Sequence, residues 1–148
     1  GLHIIDVSNP AVRTQRGVFD TDGSARDVVS RGDIVFIADY KNGLCMVDES
    51  NPDAPISAGH FASDGSAFCV DVSGDLAFLG DTLGGLRVLD ISDSANPVEL
   101  GVVWTGGLPV SVSVSGQSAY VADNNAGLRI IDVCSRADPV EIGFSDGA

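Results

Sequence analysis

Residues 119–133 read "AYVADNNAGLRIIDV", two short apolar stretches around a polar turn. The second stretch has a counterpart at the first residue, where the chain begins "GLHIID". Comparison of the chain with itself shows this stretch four times at a constant spacing of 42 residues, starting at Gly1, Gly43, Gly85 and Gly127. A period of about 20 to 50 residues indicates that one structural unit recurs along a chain.

The period extends well beyond this stretch, with no insertion between repeats. Positions that keep the 42-residue spacing include Val28, Val70 and Val112; Phe36, Phe78 and Tyr120; Asp39, Asp81 and Asp123; Pro55, Pro97 and Pro139; and Gly17, Gly59, Gly101 and Gly143. Each repeat contains four short runs rich in Val, Ile, Leu and aromatic residues, bounded by turn-forming residues. Short connections between such runs predict antiparallel hairpins.

A unit of about 42 residues with four antiparallel strands is typical of a β-propeller blade. The sequence therefore predicts an all-β fold, a β-propeller of four-stranded antiparallel blades with about 3.5 blades present, as a fragment of a larger propeller. We expect 1–148 to form this single partial propeller. It divides into the last two strands of a preceding blade at 1–19 and blades at 25–61, 67–103 and 109–144.

The pattern also predicts how each blade is built. Ser111 and Ser113 place small residues on one side of the first strand, as expected where blades converge on a central channel. The fourth strand opens with proline, which suits an outer edge that need not donate every N–H. Leu86 and Val88 should point toward one neighbouring blade and Leu89 toward the other.

Composition limits the classes of partner. The chain has 148 residues, 44% of them hydrophobic, and a formal net charge of −13 from 21 acidic and eight basic side chains. A surface this acidic repels phosphate groups, so we expect neither nucleic acid nor anionic membrane as a partner. No run of about 18 apolar residues is present, so we expect no membrane insertion. Cations, basic proteins and uncharged glycans remain compatible with the charge.

Motifs for catalysis or transition-metal binding are absent from the sequence. Cys45, Cys69 and Cys134 show no CxxC spacing, and the two histidines, His3 and His60, are isolated. The cysteines are interpreted as small buried or half-buried residues, and His60 as a polar surface residue. Without a GxSxG, an HExxH or a probable Ser/His/Asp arrangement, the sequence does not predict an enzyme.

The stretches "IVFIADYKNGLCMVDESNPDAP", "LAFLGDTLGGLRVLDISDSANP" and "AYVADNNAGLRIIDVCSRADP" resemble LVIVD repeats. They are more distantly similar to the YVTN propeller repeats of surface-layer proteins. The LVIVD resemblance implies propeller blades of bacterial or archaeal proteins, typically exported or at the cell surface. It therefore implies an extracellular or cell-surface location, and it implies no single activity.

Three carboxylates, Asp39, Asp81 and Asp123, follow the second strand of each blade and are expected to emerge on one face of the disc. They could gather cations or hydrogen-bond a polar ligand there, but an aspartate in a turn more often accepts N–H groups of that turn. The turns between blades emerge on the same face, near Lys41 and Trp104. The candidate binding residues of this face are Asp22, Asp64, Asp39, Tyr40, Asp81, Asp123, Asn124 and Asn125.

Two further aspartate patterns need separate interpretation. Asp20 and Asp22 in "FDTDGSARD" resemble half of a calcium loop, but neither a third ligand nor a closing Glu follows. They are weak metal candidates, so no cofactor is predicted and calcium is the open alternative. Asp48, Asp90 and Asp132 end the third strands and are interpreted as structural anchors of the bend into the fourth strand.

The preferred hypothesis is a non-catalytic propeller module of an exported or cell-surface protein, with a loop face that binds protein or glycan. One alternative is a surface-layer or adhesion scaffold made rigid by cations. Another is the propeller part of an enzyme whose catalytic groups lie outside these residues. An open arc of blades leaves two apolar faces uncovered, so the chain by itself is expected to self-associate.

Overall fold

The computed structural model of the protein describes residues 1–146, which form 14 β-strands and one short 3-10 turn. A two-stranded sheet consists of β1 (Leu2–Asp6) and β2 (Thr14–Phe19). The first blade contains β3 (Asp27–Arg31), β4 (Ile34–Ala38), β5 (Leu44–Asp48) and β6 (Ile56–Phe61). The second contains β7 (Ala67–Ser73), β8 (Leu76–Asp81), β9 (Gly85–Asp90) and β10 (Val98–Val103). The third contains β11 (Ser111–Ser115), β12 (Ser118–Ala122), the 3-10 turn (Asn124–Ala126), β13 (Leu128–Asp132) and β14 (Val140–Ser145).

In every sheet, strands that are neighbours in sequence pair antiparallel. The connections within each blade are too short for a parallel crossover, and the predicted four-stranded blades are confirmed. The sheets are arranged as the blades of a partial propeller, and the ring is not closed. No helix within residues 1–146 has the length and apolar character needed to cross a membrane.

The first strand of each blade lies at the centre, since β7 packs between β3 and β11. Two aspartates link these inner strands across blades. The Oδ2 of Asp27 accepts the N–H of Val70 at 3.0 Å, and the Oδ2 of Asp71 accepts the N–H of Val114 at 2.7 Å. These N–H groups lie on the free inner edges of β7 and β11, so each carboxylate satisfies a backbone donor that no strand pairs.

The hydrophobic core lies between the blades. Leu86 and Val88 of β9 are fully buried against the third blade, and Leu89 is fully buried against the first, as predicted. Phe36 and Phe78, at the same repeat position, fill the centres of these two contacts. Because each blade is apolar on both faces, the repeats stabilise one another through contacts between neighbours.

The periodic glycines of the fourth strands lie where the next blade approaches most closely. A methyl group on Gly59 would collide with the backbone carbonyl of Ser94, and one on Gly101 would lie 2.6 Å from the carbonyl oxygen of Arg136. At Gly143 in the third blade, the nearest atom would be 3.6 Å away, in the side chain of Ile130. The glycine period therefore reflects contact between blades rather than a turn within one.

The fourth strands begin one residue later than the sequence suggests. Their first residues are Ile56, Val98 and Val140, each preceded by the proline that was expected to open the strand. A proline has no N–H to donate to the ladder, so pairing starts at the residue after it.

Candidate functional site

Two kinds of loop form one end of the blades, which we call the loop face. It comprises the connections between blades (20–24, 62–66 and 104–108) and the turns after the second strands (39–43, 81–85 and 123–127). The two kinds are in direct contact, because the N–H of Thr82 donates to the carbonyl of Ser66 at 3.1 Å and the N–H of Ser24 to that of Asp39 at 3.4 Å. Strand alternation thus brings together the loops that carry the candidate binding residues.

Asp39 lies beneath the loop face and accepts hydrogen bonds from two of its loops. Its Oδ1 accepts the hydroxyl of Thr21 at 2.8 Å, and its Oδ2 accepts the N–H of Gly23 at 2.9 Å and the amide of Asn42 at 3.1 Å. Thr21 and Gly23 belong to the connection from the preceding strand, whereas Asn42 belongs to the turn that follows Asp39. The carboxylate therefore ties two loops of different origin to each other.

The other two carboxylates of this set have different surroundings. The Oδ1 of Asp81 accepts the N–H groups of Leu83 and Gly84, at 2.9 and 3.1 Å, within its own turn. Neither carboxylate oxygen of Asp123 has a hydrogen-bond partner within residues 1–146, although both are buried. The same repeat position therefore holds a buried carboxylate in all three blades, with different hydrogen-bond donors in the first two and, among the described residues, none in the third.

All three carboxylates are 0% exposed, which corrects the expectation that they emerge on the surface. They lie beneath the loops of this face, where Asp39 and Asp81 accept hydrogen bonds from loop residues. The expectation that the aspartate accepts N–H groups of its own turn is confirmed at Asp81. Within its own turn Asp39 instead accepts the side-chain amide of Asn42.

The remaining candidates do lie at the surface. Asp22, Asp64, Asn124 and Asn125 are exposed, each in a different loop or at a different turn position. Asn124 adopts a positive φ of 44°, a conformation that asparagine tolerates better than most residues. These side chains are available to a partner that approaches the loop face.

Tyr40 is only half-exposed because two residues that the sequence did not suggest pack around it. The Arg26 guanidinium carbon lies 4.8 Å from the centroid of the Tyr40 ring and 5.5 Å from that of Phe68. The two rings themselves meet edge to face at 5.5 Å and 84°. This group connects the first and second blades at the loop face and gives it a local positive charge.

The metal candidates Asp20 and Asp22 are both exposed. Within residues 1–146, no three His, Cys, Asp or Glu side chains come together as a set that could hold a metal ion. A calcium ion at Asp20 and Asp22 would need further ligands from backbone or water.

The aspartates that end the third strands are structural, as predicted. Their Oδ1 atoms accept the N–H two residues later, from Ser50, Ser92 and Cys134, at 2.8, 2.9 and 2.8 Å. Donation by the N–H and the hydroxyl of Ser50 lowers the pKa of Asp48 below its usual range. Each such bond fixes the bend that leads toward the fourth strand.

One charged group beneath the loop face was missed. Arg87 of β9 is almost fully buried, and its guanidinium lies 2.6 Å from Glu99, 3.8 Å from Asp81 and 3.9 Å from Asp64. In the third blade, Arg129 occupies the same repeat position and lies 3.6 Å from Glu141. Alignment of the repeats would have revealed this arginine position, because a charged residue stands there in a strand that is otherwise apolar.

The first blade has Cys45 at that repeat position. Burial raises the pKa of the Cys45 thiol to about 11, with a further contribution from the charges of Asp39 and Asp22. Burial likewise raises the pKa of Cys69 to about 12. Both are protonated at neutral pH and are poor nucleophiles. Cys134 is exposed, which corrects the expectation that all three cysteines are at least half-buried.

Comparisons with known proteins agree with this architecture. The crystal structure of the computationally designed Ika4 protein is similar, with a TM-score of 0.69 and 11% sequence identity over 89% of this chain and 78% of that chain. At this identity the likeness concerns the fold alone. No curated protein matches the chain. The LVIVD repeat matches it four times, over residues 1–21, 22–63, 64–105 and 106–146, and the chain belongs to the LVIVD repeat family.

Proposed function

We propose that the chain is a non-catalytic repeat module of an exported or cell-surface protein, and that its loop face binds a protein or a glycan. The observation that carries the proposal is that the same buried residue lies beneath this face in every blade, whereas the exposed side chains of the face differ. The buried position of Asp39 is an aspartate in all three blades, whereas the next two positions change from Tyr40 and Lys41 to Thr82 and Leu83. Variable side chains on a rigid frame are suited to recognition.

The charge of the chain favours a basic protein among the possible partners. A net charge of −13 attracts cationic surfaces and increases their rate of encounter. The exported setting is supported by the LVIVD repeats, as the family resemblance implies.

Removal of exposed loop-face side chains is expected to weaken binding. The variant Asp22→Ala/Asp64→Ala/Asn125→Ala should lose at least about tenfold in affinity for ligands found on peptide and glycan arrays, because each side chain offers hydrogen bonds to a partner. The matched control is Asp33→Ala/Asp138→Ala/Gln117→Ala, which removes the same number of charges from exposed residues at the opposite end of the blades. Ligands lost with the control variant and kept by the loop-face variant would assign binding to the opposite face.

The two-stranded sheet at one end of the arc has an apolar face that no other part of residues 1–146 covers. In the second blade, Leu89 and Ile91 are fully buried against the preceding blade. The same repeat positions near β1 are Ile5 and Val7, which are 50% and 66% exposed. This sheet therefore presents the side chains that a blade normally packs against its predecessor.

The third blade presents the complementary face at the other end. Tyr120 and Leu128 are 41% and 40% exposed, although the same positions in the second blade, Phe78 and Leu86, are buried. We also propose that a second copy of the chain docks here, with its β1 face on the face around Tyr120. The two surfaces differ, so the contact is head-to-tail rather than symmetric.

Sedimentation velocity tests this association. Ile5→Asp and Leu128→Asp should each weaken it by at least about 100-fold, because each buries an unpaired carboxylate in the contact. An equimolar mixture of the two variants should form dimers, since one intact face of each kind remains. The control Leu83→Asp changes an exposed leucine of the loop face and should associate normally. A wild-type chain that stays monomeric at millimolar concentration would contradict the proposal.

A further inference from the structure

The second blade shows that a guanidinium fits beneath the loop face. Arg87 enters from β9 and lies among the carboxylates of Glu99, Asp81 and Asp64. Gly84 leaves room for it, since a methyl group there would lie 2.7 Å from the Nε of Arg87. The architecture of the blade thus provides a place for one planar cation.

In the first blade the corresponding space is open. Cys45 replaces the arginine, Ser57 stands at the position of Glu99, and a cavity of about 340 Å³ lies above them. The lining of this cavity also includes one aromatic ring, two carboxylates and an imidazole, from Phe19, Asp20, Asp22 and His60. The volume is at the lower end of the range of small-ligand sites and exceeds what one arginine side-chain head requires.

The cavity is acidic, like the site that Arg87 occupies in the second blade. Asp22 stands at the position of Asp64, and Asp20 adds a second carboxylate at the rim. Asp39 stands at the position of Asp81, but its Oδ2 already accepts the amide of Asn42. The pKa of Cys45 at the base of the cavity is raised mainly by burial, with smaller contributions from the negative charges of Asp39 and Asp22, which lie close to it.

We propose that this cavity binds a guanidinium group, carried by an arginine side chain of a partner protein. The proposal deepens the loop-face function and rests on it. Asp22 and Asp20 bind the cation, and the hydroxyl of Ser57 accepts a further hydrogen bond. The ring of Phe19 provides an apolar and aromatic wall, which suits the weakly hydrated guanidinium plane.

A guanidinium suits the cavity better than the other cations. A strongly hydrated ammonium gains less from an aromatic wall and cannot form paired hydrogen bonds with a carboxylate. Calcium requires about six to eight oxygen ligands. Thr21 and Asn42 also line the cavity but donate to Asp39, and within residues 1–146 no three His, Cys, Asp or Glu side chains form a set that could hold a metal ion. The internal precedent of Arg87 also favours a guanidinium.

The first experiment titrates the ¹⁵N-labelled chain with N-acetyl-arginine amide at low ionic strength. We expect saturable shifts of the amide resonances of Ser57, Gly59 and His60. The neutral isostere N-acetyl-citrulline amide should bind about tenfold more weakly, because its urea group lacks the charge that strengthens hydrogen bonds to carboxylates. Asp22→Asn should weaken arginine binding by a similar factor. Equal shifts from both ligands would overturn the proposal.

A graft of the second blade's residues provides the structural control. The variant Asn42→Gly/Cys45→Arg/Ser57→Glu reproduces Gly84, Arg87 and Glu99, and it should occupy the cavity from within. We expect it to abolish the shifts, whereas Cys45→Ala leaves the cavity open and should bind as before. If circular dichroism shows that the graft variant is unfolded, the titration of Asp22→Asn with N-acetyl-arginine amide tests the proposal instead.

Two further outcomes separate this site from the wider function. An array ligand that is lost with the loop-face variant but kept by the folded graft would overturn the guanidinium site and leave the loop-face function standing. A second outcome is that N-acetyl-arginine amide binds saturably while no array ligand is lost with the loop-face variant. This result would support the guanidinium site and count against the wider loop-face function. Shifts at these amides from calcium chloride and none from N-acetyl-arginine amide would assign the cavity to calcium and overturn the proposal.

Discussion

Truncation of Phe78 to alanine is expected to lower the free energy of unfolding by about 3 to 5 kcal/mol. Phe78 is 1% exposed and packs with Ala119 and Val121 of the third blade. Removing the ring forfeits its burial and leaves a cavity that the flanking sheets cannot fill by moving closer. Urea denaturation followed by circular dichroism measures the loss.

Tyr120→Ala provides the matched control, since Tyr120 lies at the same repeat position in the third blade. No blade within residues 1–146 covers it, and the loss of its ring should cost less than about 1 kcal/mol. Both variants should be measured at a concentration where sedimentation shows monomers. Equal losses for the two would contradict the conclusion that stability comes from contacts between blades.

Asp39→Ala is expected to lower the free energy of unfolding by about 3 kcal/mol, because it leaves Thr21 and the N–H of Gly23 without their charged acceptor. The reason lies in burial, since Asp39 is fully buried and its bond with the hydroxyl of Thr21 is shielded from water. Thermal and urea unfolding measure the change. The connection at 20–24 should also lose order, seen as faster amide hydrogen exchange at Gly23 and Ser24.

Asp123→Ala tests whether hydrogen bonding is the cause. Asp123 is equally buried at the same repeat position, but its carboxylate has no hydrogen-bond partner in residues 1–146. Its replacement should therefore cost clearly less than that of Asp39. A larger loss at Asp123 than at Asp39 would show that the repeat position is stabilised by something other than these hydrogen bonds.

The fold could be predicted because its causes are local and repeated. Strand length, hairpin turns and the alternation of apolar residues are properties of short segments, and a 42-residue period repeats them without change. Even the opposite directions of Leu86 and Leu89 follow from the two-residue period of a strand. The Asx turns at Asp48 and Asp90 were predictable for the same reason, as each involves residues two positions apart.

The candidate site could be predicted only in outline. Strand alternation placed the right loops on one face, and Asp22 and Asn125 are exposed there as expected. The hydrogen-bond partners of Asp39 were not predictable, because Thr21 and Gly23 lie 16 to 18 residues away in the sequence. The links from Asp27 and Asp71 to the next inner strand were also missed, since these two residues occupy different positions of the repeat.

The sequence by itself determined the repeat, the four-stranded blade, the antiparallel order and the face on which the loops gather. Only the tertiary structure decided which carboxylates are buried, which apolar faces remain open and where Cys45 leaves a cavity that Arg87 fills in the next blade. The physical reason is that backbone hydrogen bonding acts along a blade and repeats with the sequence. The surroundings of a side chain depend on the neighbouring blade, where a single replacement changes what is in contact.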